Sequence, residues 1–287
     1  MKVSYALKTL KTKKTFQSFI PKERQLLLLK IKKNDHCGYA TYSPWQSLGQ
    51  PTIKEVLKNT NRSNIYFLAQ EDLKSVQDSS KLFHYCIKNH SFLFANQTIQ
   101  IDKDIIKIKL SGERKRDLRT INDQVKTFKT LRLDCNTKYE KKDFLKLIKN
   151  LAPLKEKIQY IEDPIIYRES DYKELEELGI PIAYDQVFNN ALIKKRPQNV
   201  VLKPMLRQNH HKNNVYSNNM GHPFELWQTY HQLITYGDLN LTHGLYMPSL
   251  YEELPNTMEI DNNRVIPNKD VIDFYYSSFR KVVWKEI

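Results

Sequence analysis

A (β/α)8-type, TIM-like barrel of the α/β class, capped by a smaller α+β unit, is the fold this sequence predicts, and three observations carry the prediction. Beyond residue 100, short β-rich runs alternate with amphipathic helical stretches. Charged residues close several of those runs. The chain before them has a different texture, a hairpin followed by helical spacing. In order, residues 3 to 8 alternate, and Arg24 to Lys33 (RQLLLLKIKK) reads as a buried strand ending at the turn signal Asn34-Asp35. Tyr39 to Tyr42 reads as its returning partner. After Pro51, Ile53, Val56 and Leu57 fall at helical spacing, and Lys81 to His90, with Leu82, Tyr85, Cys86 and the following Phe92, predicts a second helix.

Six later runs read as parallel strands: Ile105 to Leu110, Thr130 to Asp134, Ile158 to Glu162, Ile180 to Asp185, Asn199 to Lys203 and Asn213 to Ser217. Helical spacing separates most of them, at Leu118, Ile121, Val125 and Phe128, at Phe144, Leu147, Ile148 and Leu151, and at Tyr172, Leu175 and Leu178. Trp227, Tyr230, Leu233 and Ile234 supply a later helix. A strand near Phe92 to Ile101 and another near Leu239 to Thr242 bring the number to eight, that of a (β/α)8 barrel. The connections at 102–104 and 204–212 are too short for a regular crossover, so the barrel is expected to lack one or two outer helices there. Outward strand residues such as Val201 would then need cover from the capping domain, the Val271 to Val283 segment or a second subunit. The expected division is a capping domain over 1–97, a shortened barrel over 98–250, and a segment over 251–287 that packs back on either.

The 287 residues include 46 Lys+Arg against 32 Asp+Glu, a formal net charge of +14, with 40% hydrophobic residues. That composition supplies a core and excludes global disorder. No apolar stretch reaches the ~18 residues of a membrane span, and Met1-Lys2-Val3-Ser4 does not open a signal peptide. Cys37, Cys86 and Cys135, odd in number and far apart, fit neither a disulfide framework nor metal spacing, so a cytoplasmic protein is expected. The basic balance admits nucleic acid, anionic lipid or small anions as partners. Its lysines are dispersed, with modest clusters at Lys8, Lys11, Lys13 and Lys14 and at Arg114, Lys115 and Arg116, and no nucleic-acid motif accompanies them. A solvated surface, a small anionic substrate, no nucleic acid, no membrane, and a monomer or weak homo-oligomer are the resulting expectations.

In such barrels the active-site groups sit at the C-terminal ends of the strands. Asp134, Glu162 and Asp185 close three consecutive apolar strands, and Lys203 closes the next. Lys107 and Lys109 share one face of their strand by the period of two. Three carboxylates make a hard oxygen cage that suits Mg²⁺. A lysine that removes a proton α to a metal-bound carboxylate gives an enediolate stabilised by the cation. Burial and neighbouring cations lower such a lysine from the ordinary ~10.4, with Lys107 and Arg132 as contributors. Lys109, nearer the rim than Lys107, is the expected base; Lys203 is the facing cation.

The ordered motifs Lys107-Ile108-Lys109, Leu131-Arg132-Leu133-Asp134-Cys135-Asn136, Ile161-Glu162-Asp163-Pro164, Ala183-Tyr184-Asp185 and Leu202-Lys203-Pro204 resemble the enolase superfamily, and within it the o-succinylbenzoate synthases of menaquinone biosynthesis. Gly38-Tyr39-Ala40-Thr41-Tyr42-Ser43-Pro44 is similar to the family's capping-domain segment, with Ala40 and Thr41 as departures. Asp163 stands for a family glutamate, and Gln186 for the acid after the third ligand. The resemblance implies syn dehydration of a succinyl-hydroxycyclohexadiene-carboxylate, with catalytic Lys109 and Lys203 and a Mg²⁺ ion on Asp134, Glu162 and Asp185. Lys107, Arg132, Asn136, Ser217 and Gly244 follow as substrate-binding or supporting residues.

Each residue alone has a plainer reading. A strand-end Asp is commonly a turn former or helix cap, lysines on a strand guard an edge, and Arg132 suits a structural ion pair. Adjacent His210 and His211 suit an exposed loop, while His243, beside Gly244, is the better functional candidate. Two rival functions stand: an N-acylamino acid racemase or dipeptide epimerase using the same lysines, and, from another class, a basic nucleic-acid-binding protein that keeps the barrel without chemistry.

Overall fold

In a computed structural model that describes residues 1–17, 20–75, 83, 85–94, 97–189, 193, 197–261 and 264–287, strands and helices organise into a capping sheet, a barrel and a small C-terminal sheet. β1 (Lys2–Lys11), β2 (Glu23–Lys33) and β3 (His36–Tyr42) form the antiparallel capping sheet. The β2–β3 turn places Asn34 at φ 55°, a conformation asparagine tolerates. α1 (Ile53–Lys58) starts at a reciprocal capping box between Thr52 and Glu55. α2 (Asn64–Ser75) was not expected from the sequence; its Ile65, Leu68, Ala69 and Leu73 pack on Leu27, Leu29 and Ile31 of β2. Gly38 permits that approach, because a Cβ there would lie 2.2 Å from the Ala69 carbonyl oxygen.

The expected helix over Lys81 to His90 is corrected at its described end. Ile87–Lys88 is a strand, β4, paired antiparallel with Arg264–Pro267 from the far end of the chain. That distant partner outweighs the local helical spacing. Residues 81, 82 and 84 of the expected helix lie outside the described residues.

The barrel follows. β5 (Ser91–Phe94) turns back through β6 (Gln97–Ile99), and β7 (Ile105–Lys109), β8 (Thr130–Asp134), β9 (Ile158–Glu162), β10 (Ile182–Tyr184), β11 (Asn199–Leu202) and β12 (Asn214–Tyr216) then run parallel to β5 in that order. α3 (Arg114–Gln124), α4 (Lys141–Leu151), α5 (Glu169–Glu177), the short α6 (Gln186–Asn189) and α7 (Phe224–Tyr236) lie between or after them. No helix separates β6 from β7 or β11 from β12, as the short connections required. An eighth stretch, His243–Gly244, bridges Ser217 on one side and Asn89 on the other and closes the ring. Pairing followed from Lys109 through Asp134, Glu162 and Ala183 reaches Asn199; followed from Ile105 through His90, Gly244 and Ser217, it reaches Lys203. The two paths differ by four residues on each of two strands, the eight-residue stagger of a closed eight-stranded barrel.

Tyr160, Ala183, Val201 and Val215 fill part of the barrel interior. Val201 therefore points inward, since it has the parity of Lys203; the expectation that it faces outward is corrected. Its outward neighbours Val200 and Leu202 are buried in the main core with Phe144, Leu147 and Ile161. After the barrel, β13 (Met258–Asp261) pairs with β14 (Arg264–Pro267), and α8 (Lys269–Arg280) packs Phe279 on Tyr39 of β3. The final strand β15 (Lys285–Glu286) joins β1. Among the described residues no helix is long and apolar enough to cross a membrane.

Candidate active site

Strand parity brings Lys107, Lys109, Asp134, Glu162, Asp185 and Lys203 to one end of the barrel. Pairing sets Lys109 level with Asp134 and Asp134 level with Glu162. The Lys107 ammonium lies 2.8 and 2.7 Å from the two Glu162 carboxylate oxygens and 3.0 Å from Asp134 Oδ2. Across the mouth, Lys203 Nζ donates to Asp185 Oδ2 at 2.5 Å. β7 and β11 stand four places apart in a ring of eight, so Lys109 and Lys203 face each other.

The three lysines differ electrostatically. Burial alone pulls Lys107 down, but the charges of Asp134 and Glu162 outweigh it and hold its ammonium well above the ordinary value. Lys203 is likewise disfavoured by burial and raised overall by Asp185. Lys109 is lowered, chiefly by desolvation in the mouth; the raising charge of Asp134 comes next, and the charges of Lys107 and Lys203 oppose it. Lys109 is nonetheless exposed at the mouth, so its desolvation is partial, and no carboxylate among the described residues lies within ion-pair distance of its Nζ. Burial opposes ionisation of Asp134, yet Lys107 and Lys109 hold its carboxyl below the usual range. Glu162 is pushed up by burial and by the charge of Asp134. One ammonium thus serves two buried carboxylates, and the second of them resists ionisation.

Supporting side chains fix these groups. Asn136, at φ 47°, donates its side-chain amide to Asp134 Oδ1 at 2.8 Å. Gln186 Nε2 donates to Asn136 Oδ1 at 3.4 Å. Asp163, at φ 41°, accepts the backbone N–H groups of Asp185 and Gln186, at 3.1 and 2.7 Å, and so shapes the turn that presents Asp185. Burial and the charge of Asp185 push the Asp163 carboxyl up to about 7. The sequence marked Asp163 only as a family departure. Asn189 was missed; it donates to Asp185 Oδ1 at 2.8 Å and accepts the Lys203 N–H at 3.0 Å, tying the two strand ends together. Nothing in the four-residue helix Gln186–Asn189 signalled that role.

Arg132 is the pairing partner of Lys107 across β7 and β8 and is 2% exposed. Its guanidinium donates to His90 Nδ1 and the Thr242 carbonyl, each at 2.9 Å, and to Gln159 Oε1 at 2.7 Å, with its carbon 5.0 Å from the Tyr160 ring centroid. These contacts place Arg132 in the barrel floor, without an ion-pair partner among the described residues. Ser217 and Gly244 sit side by side on the seventh and eighth strands. His90 was also missed, because it falls in the stretch read as helix. His243 does not face a ligand: Nδ1 accepts the Tyr216 N–H and Nε2 meets the Asp238 carbonyl. His210 stacks on Tyr236, with ring centroids 4.6 Å apart, while His211 is exposed. Among the described residues, no three His, Cys, Asp or Glu side chains are placed closely enough together to hold an ion.

No known family profile and no curated sequence matches the chain. Solved structures do. MenC from Desulfotalea psychrophila LSv54 is similar over 93% of this chain and 99% of its own, with a TM-score of 0.64 and 15% identity. A dipeptide epimerase from Methylococcus capsulatus, solved with a Mg ion, is similar over 93% and 97%, with a TM-score of 0.64 and 14% identity. Muconate lactonizing enzyme from Pseudomonas putida is similar over 92% and 93%, with a TM-score of 0.64 and 13% identity. At these identities the likeness shows the fold, a capping domain on a TIM-like barrel.

Proposed function

We propose that this protein is an enolase-superfamily enzyme that removes a proton α to a substrate carboxylate, and that its reaction is the dehydration of 2-succinyl-6-hydroxy-2,4-cyclohexadiene-1-carboxylate to o-succinylbenzoate. The observation that carries the reading is the unequal treatment of three lysines at one barrel mouth. Lys107 and Lys203 are held as ammonium by carboxylates, whereas Lys109 alone is pushed toward the neutral amine. A neutral amine can accept a proton; a paired ammonium supplies only charge and hydrogen bonds.

The donor chemistry suits Mg²⁺, although the three carboxylates are not gathered into an ion-holding cluster while Lys107 and Lys203 occupy their oxygens. Asp134, Glu162 and Asp185 offer the hard oxygen donors it takes, and two buried carboxylates sharing one ammonium call for further positive charge. Asp134, Glu162 and Asp185 would hold the ion, which when bound stabilises negative charge developing on the substrate carboxylate. Lys109 takes the α-proton. The resulting Lys109 ammonium then protonates the departing hydroxyl on the same face, so one residue serves both halves of a syn elimination. Lys203 places its ammonium against the opposite side of the developing enediolate, and Asp185 and Asn189 hold it there.

The test is dehydration at saturating Mg²⁺ by wild type, Lys109→Arg and Lys203→Arg, each checked for folding by a thermal melt. Lys109→Arg is expected to lose essentially all turnover, because arginine stays protonated. Lys203→Arg is expected to keep a measurable fraction. The reverse pattern would exchange the assignments, and full activity in both would remove the chemistry from this rim. Rapid α-deuteration and racemisation of N-succinylamino acids in D₂O, without dehydration, would replace the dehydratase reading with a racemase.

A further inference from the structure

We propose that His90 is a substrate-binding residue whose Nε2–H donates to an oxygen of the substrate's acyl arm, beside the Ser217 hydroxyl. The proposal rests on reading the barrel mouth as the site of the preceding subsection and names a contact within it. The Arg132 guanidinium can only donate, so its 2.9 Å bond to His90 Nδ1 occupies that nitrogen's lone pair. The ring proton is then on Nε2. Burial and the charges of Arg132 and Lys107 keep the ring neutral, which preserves this tautomer.

The other edge of the ring occupies space left open by a glycine. A Cβ built on Gly244 would lie 2.8 Å from His90 Cε1, 3.1 Å from Nε2 and 3.3 Å from Ser217 Oγ. The imidazole edge and the hydroxyl therefore converge over residue 244, on the strand that closes the ring. Ser217 Oγ has one long bond, 3.4 Å to the Gly244 carbonyl, and His90 Nε2 has no protein acceptor among the described residues. A donor fixed in this way is satisfied by an oxygen that arrives with the ligand. The position identifies which one. His90, Ser217 and Gly244 come from the first, seventh and eighth strands, across the ring from the acids of β8, β9 and β10. A molecule with its reacting carboxylate over the acids extends its remaining oxygen-bearing arm toward His90.

The experiment compares binding of o-succinylbenzoate with that of benzoate, which lacks the arm, by calorimetry with Mg²⁺ present. His90→Asn retains an oxygen at the δ position for Arg132 but has no donor at ε; His90→Gln restores an ε amide. His90→Asn is expected to bind o-succinylbenzoate about 3- to 10-fold more weakly, the range of one neutral hydrogen bond, with benzoate unchanged. KM for the dehydration substrate should rise by a similar factor with little change in kcat, and His90→Gln should recover part of the loss. Equal weakening of both ligands would overturn the proposal in favour of a structural role, as would unchanged o-succinylbenzoate binding in His90→Asn. Failure of wild type to bind o-succinylbenzoate at all would overturn the substrate reading and this contact together.

Discussion

Replacing Lys107 with methionine leaves two buried carboxylates without their shared counter-charge and measures how far the mouth depends on added cation. The Lys107 ammonium meets Asp134 and Glu162 at 2.7–3.0 Å, and the two acid side chains are 4% and 1% exposed, so water cannot replace it. Removing one partner of such a buried pair costs about 3–5 kcal/mol. Burial and Asp134 already push Glu162 toward its protonated form, which offsets part of that loss. Mg²⁺ at 100 times its Kd returns about 2.7 kcal/mol, and the return should be larger in the variant, where no ammonium competes for the same oxygens. The assay is urea unfolding of wild type and Lys107→Met in EDTA and in millimolar Mg²⁺. The reasoning predicts a variant markedly less stable in EDTA and partly rescued by the ion. Equal stability in EDTA, or equal stabilisation of both proteins by Mg²⁺, would refute it.

Two further outcomes are expected. Asp134→Asn should weaken Mg²⁺ binding and remove turnover while the protein stays folded, because Asn136 still finds an oxygen at the same position; calorimetric Mg²⁺ titration beside a melt checks this. Glu225, 2% exposed, is pushed up to about 8 by burial against the partial relief of Arg24, so the folded state retains a proton that the unfolded chain releases near ~4.3. Its contribution is therefore lost as pH rises from ~4.3 to about 8, and Glu225→Gln should flatten the stability profile by up to ~1.4 kcal/mol per pH unit within that window. Parallel denaturation profiles for the two proteins between pH 5 and 8 would remove the assignment.

The strands and their charged ends were legible because a parallel barrel writes one rule repeatedly into the sequence. An apolar run buried on both faces ends in a residue whose parity fixes its direction, so Asp134, Glu162 and Lys203 could be placed by counting. The same counting assigns Val201 to the interior, whereas an outward position follows only from the missing helix and ignores the parity it shares with Lys203. The absent helices were legible for a different reason, since three residues at 102–104 cannot hold one and nine at 204–212 leave little room for one. What could not be read depends on closure of the ring. β4 pairs with a strand from the other end of the chain, and the eighth barrel strand is only His243–Gly244, too short to carry a pattern. His90 becomes part of the floor only when Gly244 is brought beside it, and Arg132 acquires its partners only from Thr242, Gln159 and His90 at the same moment. Local periodicity can therefore identify groups that each strand presents at its own end. It cannot identify groups that a strand presents to its neighbour across the seam, and in this barrel those fall on the side where a substrate's arm would be recognised.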